Sequence, residues 1–312
     1  MFVRVLTAAS AAVALLATLA PAADAVTGSP LPGARLHVPR DNPAREWAQR
    51  LRDSRPGDAA LLDRIARQPV AMWISEDHAL QASRREASDA RRAGAVPVLV
   101  AYAIPHLDCR SGGASSSAAY RRYISRIAAG LGRRPSAVIL EPDALAAMDC
   151  LNEAQRRQRT SLMRWAVRHF NATTRAAVYI DGGNAIWKRP EAMAPRLIAA
   201  GVRSARGFSV NVSNFVATDR SIAFARELAG RIGGGVKAVI DVGRNGNGAG
   251  STPCNPPGRA LGRAPTTSTG DPLVDALLWI KPPGQSDGTC NGGPPGGVFW
   301  VEYALGLARR AA

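Results

Sequence analysis

The chain has 312 residues, 46% of them hydrophobic, and a net charge of +16, which is enough sequence for one large core and shows no repeat of fixed period. A balance this basic brings nucleic acid or another anionic polymer to mind, yet only Lys188, Lys237 and Lys281 are lysines and the arginines are scattered along predicted helices. No basic run alternates with aromatics and no zinc-finger or phosphate-loop pattern occurs, so nucleic acid is not an expected partner and a bias towards Arg and Ala accounts for the charge.

Residues 1–25 read as a secretory signal: Arg4, an apolar run over 5–19, then Ala23-Asp24-Ala25 as a small-residue cleavage site. The alternative is a membrane anchor, but the run is short and alanine-rich for a span of about 20 residues. Cleavage near Val26 leaves the net charge unchanged, because Arg4 and Asp24 depart together. Residues 26–45 look like an extended lead-in. Short apolar β-rich runs then alternate with helical periodicity. Strands are predicted over 70–74, 96–102, 137–140, 176–180, 207–212, 237–240 and 276–280, and helices over 77–93, 116–131, 153–170, 190–200, 219–232 and 301–310. The Pro- and Gly-rich stretches 248–270 and 281–297 read as long loops.

Strands apolar throughout and separated by helices are parallel strands covered on both faces. The expected fold is α/β, a single domain over 26–312 built on a distorted parallel (β/α) barrel of about seven strands. A doubly wound open sheet is the runner-up.

Polar residues gather where these strands end, the side on which such folds build their sites. Trp73 closes the first strand, Tyr102 and Asp108 follow the second, and Asp143 follows the third. Asp181 ends the fourth, Asn211 and Asn214 the fifth, Asp241 the sixth, and Lys281 with Asp287 the seventh. Several carboxyls on one rim suit acid/base chemistry, most simply cleavage of a glycosidic bond. Each also has a structural reading: Asp143 could cap a helix after Pro142, and Asp108 and Asp287 could serve turns. Asp241 is balanced between turn support and work in a cleft. Trp73 and Trp187 are candidate sugar platforms, whereas Trp165 and Trp279 suit packing and His106 an ordinary loop.

Cys109, Cys150, Cys254 and Cys290 suit disulfides in an oxidising compartment, and no zinc-ligand spacing is present. Four cysteines allow three pairings. The local scheme, Cys109 with Cys150 and Cys254 with Cys290, closes two loops of similar size, each stabilising by about 4 kcal/mol in the chain-entropy model.

Together, Glu141-Pro142-Asp143-Ala144-Leu145, the run DVGRNGNG from Asp241 to Gly248 and the run WIKPPGQSDG from Trp279 to Gly288 resemble glycoside hydrolase family 6. YAIPHLDC from Tyr102 to Cys109, Asn211 to Phe215 and Thr269 to Pro272 support the resemblance, which runs from about Ala34 to the C-terminus. It implies a β-1,4-glucan hydrolase that inverts the anomeric centre, on a distorted barrel and with no cofactor or metal. By matching position Asp143 would be the general acid, Asp108 a neighbour that helps hold its proton, and Asp287 the position proposed for the base. Asp181 would lie by the cleft and help bind substrate or tune the site, Tyr102 would press on the sugar at the cleavage point, and Lys281 would bind substrate hydroxyls. Trp73, Trp187, Asn211 and Asn214 complete the expected substrate contacts, and the cysteines would match the family's local disulfides.

Three positions depart from the family pattern. Leu107 stands where an Arg usually precedes the second aspartate, Asn184 where a His is general, and Pro253 where a Trp often precedes the third cysteine. The expectation is a secreted, extracellular, monomeric endo-β-1,4-glucanase with a glucan substrate and no membrane partner. The alternatives are a cellobiohydrolase of the same family and a non-catalytic glycan-binding protein on the same scaffold.

Overall fold

All seven apolar runs form strands. A computed structural model describes residues 1–2, 29–107, 109 and 112–311; the predicted signal therefore lies almost wholly outside the described residues. The strands are β1 (Met72–Ile74), β2 (Val98–Ala101), β3 (Pro135–Leu140), β4 (Arg175–Asp181), β5 (Gly207–Val210), β6 (Lys237–Asp241) and β7 (Val274–Leu278). They pair in chain order, every neighbour parallel. The predicted barrel is thus a curled sheet whose first and last strands do not pair as strands. The seam is spanned instead by the Ala71 N–H donating to the Trp279 carbonyl at 3.0 Å and the Trp73 indole N–H donating to the Ile280 carbonyl at 2.8 Å.

Alternation along the strands sorts the core into two layers. Val98, Val100, Ala137, Ile139, Ala177 and Tyr179 fill the inside of the curl, with Leu31 and Leu36 of the N-terminal segment packed against them. Leu99, Ala101, Val138, Leu140, Val178 and Ile180 point outward beneath the helices. This is why the strands are apolar at every position: each face meets a different buried layer. Opposite the rim, the Tyr179 hydroxyl donates to Asp275 at 2.6 Å, and Arg206 forks onto the same carboxylate.

The helices are α1 (Pro43–Leu51), α2 (Pro56–Ala66), α3 (Ala79–Arg92), α4 (Ser117–Leu131), α5 (Glu153–Thr173), α6 (Pro190–Ala199), α7 (Thr218–Ile232) and α8 (Val301–Arg309). Starts follow local chemistry. Ser116 caps α4 by accepting the Ala119 N–H, and Asn152 with Gln155 forms a reciprocal capping box on α5. The lead-in expected over 26–45 gives way to α1 at Pro43, and α2 was not anticipated. The buried positions of α1 are alanines, Ala44 and Ala48, whereas α2 buries Leu62 and Ile65 beside Ala59 and Ala66. Among the described residues, no helix is long and apolar enough to cross a membrane.

Candidate active site

Non-glycine residues with positive φ cluster on the rim above β3 and β5: Glu141 (54°), Asp143 (66°), Asn211 (69°) and Ser213 (59°). Such backbone is costly for L residues and concentrates where surrounding contacts hold it for a purpose. Two of these turns are held by buried side chains. Glu141 accepts the Ala103 and Ile104 N–H groups at 3.0 and 2.9 Å, joining the β3 rim to the segment after β2. Burial pushes its carboxyl up to about 8, although those two amides pull the other way. Arg159 of α5, also buried, donates to the carbonyls of Ala144 at 2.7 Å and Pro105 at 3.1 Å, fastening the same two segments together.

Asp143 stands on this strained turn, half-buried, in the wall of a cleft of about 930 Å³. Its own backbone N–H donates to an Asp181 oxygen at 3.0 Å. Asp181 is 1% exposed and also accepts the Gly183 N–H at 3.1 Å and the Ser209 hydroxyl at 3.2 Å. Desolvation raises both carboxyls above the usual range; Lys281 opposes this at Asp143 while the Asp287 charge adds to it, and at Asp181 the nearby Asp143 adds to it. Two neighbouring carboxyls in a dry site resist ionising together. Three donors aimed at Asp181 work against its burial, yet its carboxyl still stands at about 7 and that of Asp143 at about 6, so both keep a proton to higher pH than an exposed carboxyl.

Asp287 lines the same cleft. Arg244, 1% exposed in its side chain, pairs with it at 3.0 Å, and the Lys281 ammonium lies 3.8 Å away. The Asn255 N–H donates to it at 3.0 Å, while the Asp287 N–H returns a bond to the Asn255 side chain at 2.8 Å. Asn255 follows Cys254, so the Cys254–Cys290 disulfide closes the loop that grips Asp287. Lys281 is lowered to about 8, chiefly by burial and then by Arg244, with Asp287, Asp241 and Asp143 pulling it back up.

The cleft walls carry Trp73, Tyr102, Trp187 and Asn214. Trp73 meets Tyr102 edge-on with centroids 5.2 Å apart, and the Lys281 ammonium sits 5.4 Å from the Trp73 ring centre. Trp187 remains 41% exposed beside Ile186 at 52%, so flat apolar surface stays available to a ligand. The departures from the family pattern also lie near the site. Asn184 accepts the Ile186 N–H at 3.1 Å and shapes the turn that presents Trp187. Pro253 lines the cleft, and Leu107 packs against the core.

Not every predicted contact reaches the cleft. Asn211 is fully buried, its amide donating to the Val216 and Asp241 carbonyls and accepting the Val216 N–H, so it has nothing left for a ligand. Asp181 lies beneath Asp143 rather than in the wall. Asp241 supports turns, accepting the N–H groups of Ser213, Gly243, Ile280 and Lys281. Asp108 lies outside the described residues. Trp279 is packed as expected, its indole N–H on the Arg263 carbonyl at 2.9 Å, and Trp165 stacks on His169. The cysteines pair locally, Cys109–Cys150 and Cys254–Cys290. Sequence reasoning missed Arg244 and Asn255. Arg244 sits in the DVGRNGNG run, where its place beside four residues of turn chemistry concealed its role as a buried partner for a carboxylate 43 residues later.

Comparison with known proteins agrees with this geometry. The profile of the family described as Glycosyl hydrolases family 6 matches residues 32–311. Endoglucanase A of Cellulomonas fimi is 42% identical over 261 residues, 81% of this chain and 57% of that protein. The chain thus spans little more than half of that relative. Endoglucanase 1 of Streptomyces halstedii is 39% identical, with 96% of each chain covered. Among solved structures, the endoglucanase Cel6 from Mycobacterium tuberculosis, in complex with methyl-cellobiosyl-4-deoxy-4-thio-β-D-cellobioside, superposes with a TM-score of 0.83 at 42% identity, covering 90% of this chain and 99% of that one.

Proposed function

The chain belongs to glycosyl hydrolases family 6, and from that premise we propose that it is a secreted endo-β-1,4-glucanase that inverts the anomeric centre, with Asp143 as general acid. The observation that carries this reading is the shared cleft: a carboxyl whose proton affinity burial raises on one wall, an ion-paired carboxylate on another, and aromatic faces between. Inversion requires a proton for the leaving oxygen and a water reaching the opposite face of the sugar, with the two carboxyls roughly 6.5–9.5 Å apart. Asp143 would give its proton to the glycosidic oxygen. Asp287, held by Arg244 and Lys281, would face the developing positive charge and orient the incoming water. Asp108, by its matching position, would help retain the Asp143 proton. Trp73, Tyr102 and Trp187 would stack on glucose rings, with Asn214 and Lys281 bonding hydroxyls.

Endo action is supported by endoglucanase relatives at 39–42% identity and by a rim at which Ile186 and Trp187 stay exposed. Two disulfides accord with export, residues 1–25 acting as a cleaved signal and 26–312 as a monomeric catalytic domain. Protein secreted by an expressing host should start near Val26 by mass spectrometry. The decisive experiment compares wild type with Asp143→Asn on carboxymethylcellulose and cellohexaose. Wild type should cut viscosity early and release α-anomers by NMR. The variant should lose at least about 10²-fold in kcat while still binding cellohexaose. Near-normal turnover in Asp143→Asn would end the assignment, and β-anomers would end inversion.

A further inference from the structure

The arginines are spread along the sequence, but among the described residues most exposed arginines without an ionic or hydrogen-bonded partner lie on or beside α3, α4 and α5, with Arg220 of α7 and Arg263 elsewhere. Arg84 and Arg91 of α3, Arg122 and Arg126 of α4, Arg168 of α5 and Arg175 at the start of β4 are all exposed. The spacings of seven on α3 and four on α4 set each pair along one helical face, while Arg168 lies on α5 and Arg175 at the start of β4 just beyond its end. The three helices pack side by side. Gly130 of α4 lets its backbone approach α3 so closely that a Cβ there would sit 2.9 Å from the Arg84 nitrogen and 2.8 Å from the Leu80 carbonyl oxygen. Arg121 of α4 lies over the Trp165 ring of α5, 5.3 Å from its centre. The pairs therefore form one surface.

Acidic residues are missing from it. Among the described residues from 79 to 175, the exposed acids are Asp149 and Glu153. Asp149 is bound by Lys188 and Arg196, and Glu153 by Arg157. The other acids of α3, Glu86 and Asp89, are buried, Asp89 pairing with Arg92 and Arg40, while Arg85 pairs with Asp41 of the N-terminal segment. Elsewhere the exposed arginines mostly find acids: Arg52 with Asp63, Arg55 with Asp58 and Glu302, Arg226 with Asp271. Like charges left together without partners repel and weaken the fold, so their concentration on one face points to an external anion.

We propose that the outer face of α3, α4 and α5 docks a carboxylate-bearing polysaccharide, holding the enzyme on acidic polymer beside its glucan. Guanidinium forks match carboxylates two bonds at a time. A bilayer fits poorly, because the exposed large apolar residues (Met1, Phe2, Ile186, Trp187 and Val298) all lie off these helices. Single-stranded nucleic acid fits poorly too: the aromatic nearest these arginines, Trp165, is already covered by Arg121 and His169 and offers no face for a base. The choice of a polysaccharide rests on the glucanase reading, but the binding assay does not depend on turnover.

The test is affinity electrophoresis of the full chain in gels containing polygalacturonate, across a series of salt concentrations. Arg122→Gln, Arg126→Gln and Arg168→Gln together should weaken retention about tenfold. A control of equal charge, Arg50→Gln, Arg67→Gln and Arg189→Gln, removes exposed arginines paired with acids off this face and should stay within about twofold. Equal weakening in both triples would reduce the effect to net charge and overturn the proposal. So would absence of wild-type retention at low salt, or tighter binding to duplex DNA or phosphatidylglycerol vesicles at matched charge. Cellohexaose hydrolysis, measured separately, should be unchanged in both triples; its absence in wild type would count against the glucanase reading and leave the retention result standing.

Discussion

The backbone N–H of Asp143 donates to the Asp181 carboxylate at 3.0 Å, so the residue that faces the cleft is steered by one that does not. Asp181 also takes the Gly183 N–H and the Ser209 hydroxyl, and through these bonds it fixes the positive-φ turn on which Asp143 stands. Asp181→Ala should therefore lower kcat by about 10–100-fold with little change in KM, because the proposed acid is misplaced while the aromatic walls of the cleft remain. Steady-state kinetics on cellohexaose checks this; a rise in KM alone would mean that Asp181 acts on substrate binding.

Asp287 raises the proton affinity of Asp143 through its charge, whereas Lys281 lowers it. Asp287→Asn removes the first influence and leaves Lys281 and Arg244 uncompensated, so both changes depress the Asp143 carboxyl. The alkaline limb of the residual kcat/KM profile should move to lower pH, since a general acid works only below its own pKa. A limb that stays in place or moves upward would show that the two carboxyls are not electrostatically linked.

Glu141 couples pH to stability. Its folded carboxyl is raised to about 8 from an ordinary 4.5, chiefly by burial. The native chain thus keeps a proton that the unfolded chain has released. Its contribution is complete below about pH 4.5 and disappears as pH climbs through about 8. Glu141→Gln has no proton to lose. Between pH 5 and 8.5, wild type should lose more stability than the variant, by an amount on the order of 2–4 kcal/mol in urea unfolding. Parallel pH dependence in the two proteins would refute this.

The Cys254–Cys290 bridge closes the loop whose Asn255 exchanges two hydrogen bonds with Asp287. Replacing both cysteines by serine should lower stability by about 4 kcal/mol and also reduce kcat, because the base-side carboxylate loses its clamp. The Cys109→Ser, Cys150→Ser double variant should show a stability loss of similar size. Equal Tm with unchanged kcat in the first pair would show that Asn255 is held without the bridge.

Much of this was legible in the chain itself. Strands buried on both faces read as unbroken apolar runs, so all seven could be placed. The motif after β3 marked Asp143 as the residue most exposed to chemistry. The inward face of the first helix is alanine and carries little periodic signal, whereas the second buries Leu62 and Ile65 and was legible in principle. Asn211 and Asp143 look alike in sequence, each a polar residue past a strand; only the folded chain shows that one spends its side chain on Val216 and Asp241 while the other keeps it for the cleft.

What the sequence determined alone, then, was the order of elements, the parallel sheet and the rim on which polar residues gather, since periodicity and turn chemistry are properties of neighbouring residues. What only tertiary structure decided was pairing across distance: Arg244 with Asp287, Asp181 beneath Asp143, the curl left unpaired between β1 and β7, and the exposed arginines of α3, α4 and α5 brought onto neighbouring helices. Those relations depend on burial and on which segments lie side by side in space, and residues thirty or more positions apart leave no local pattern from which to read them.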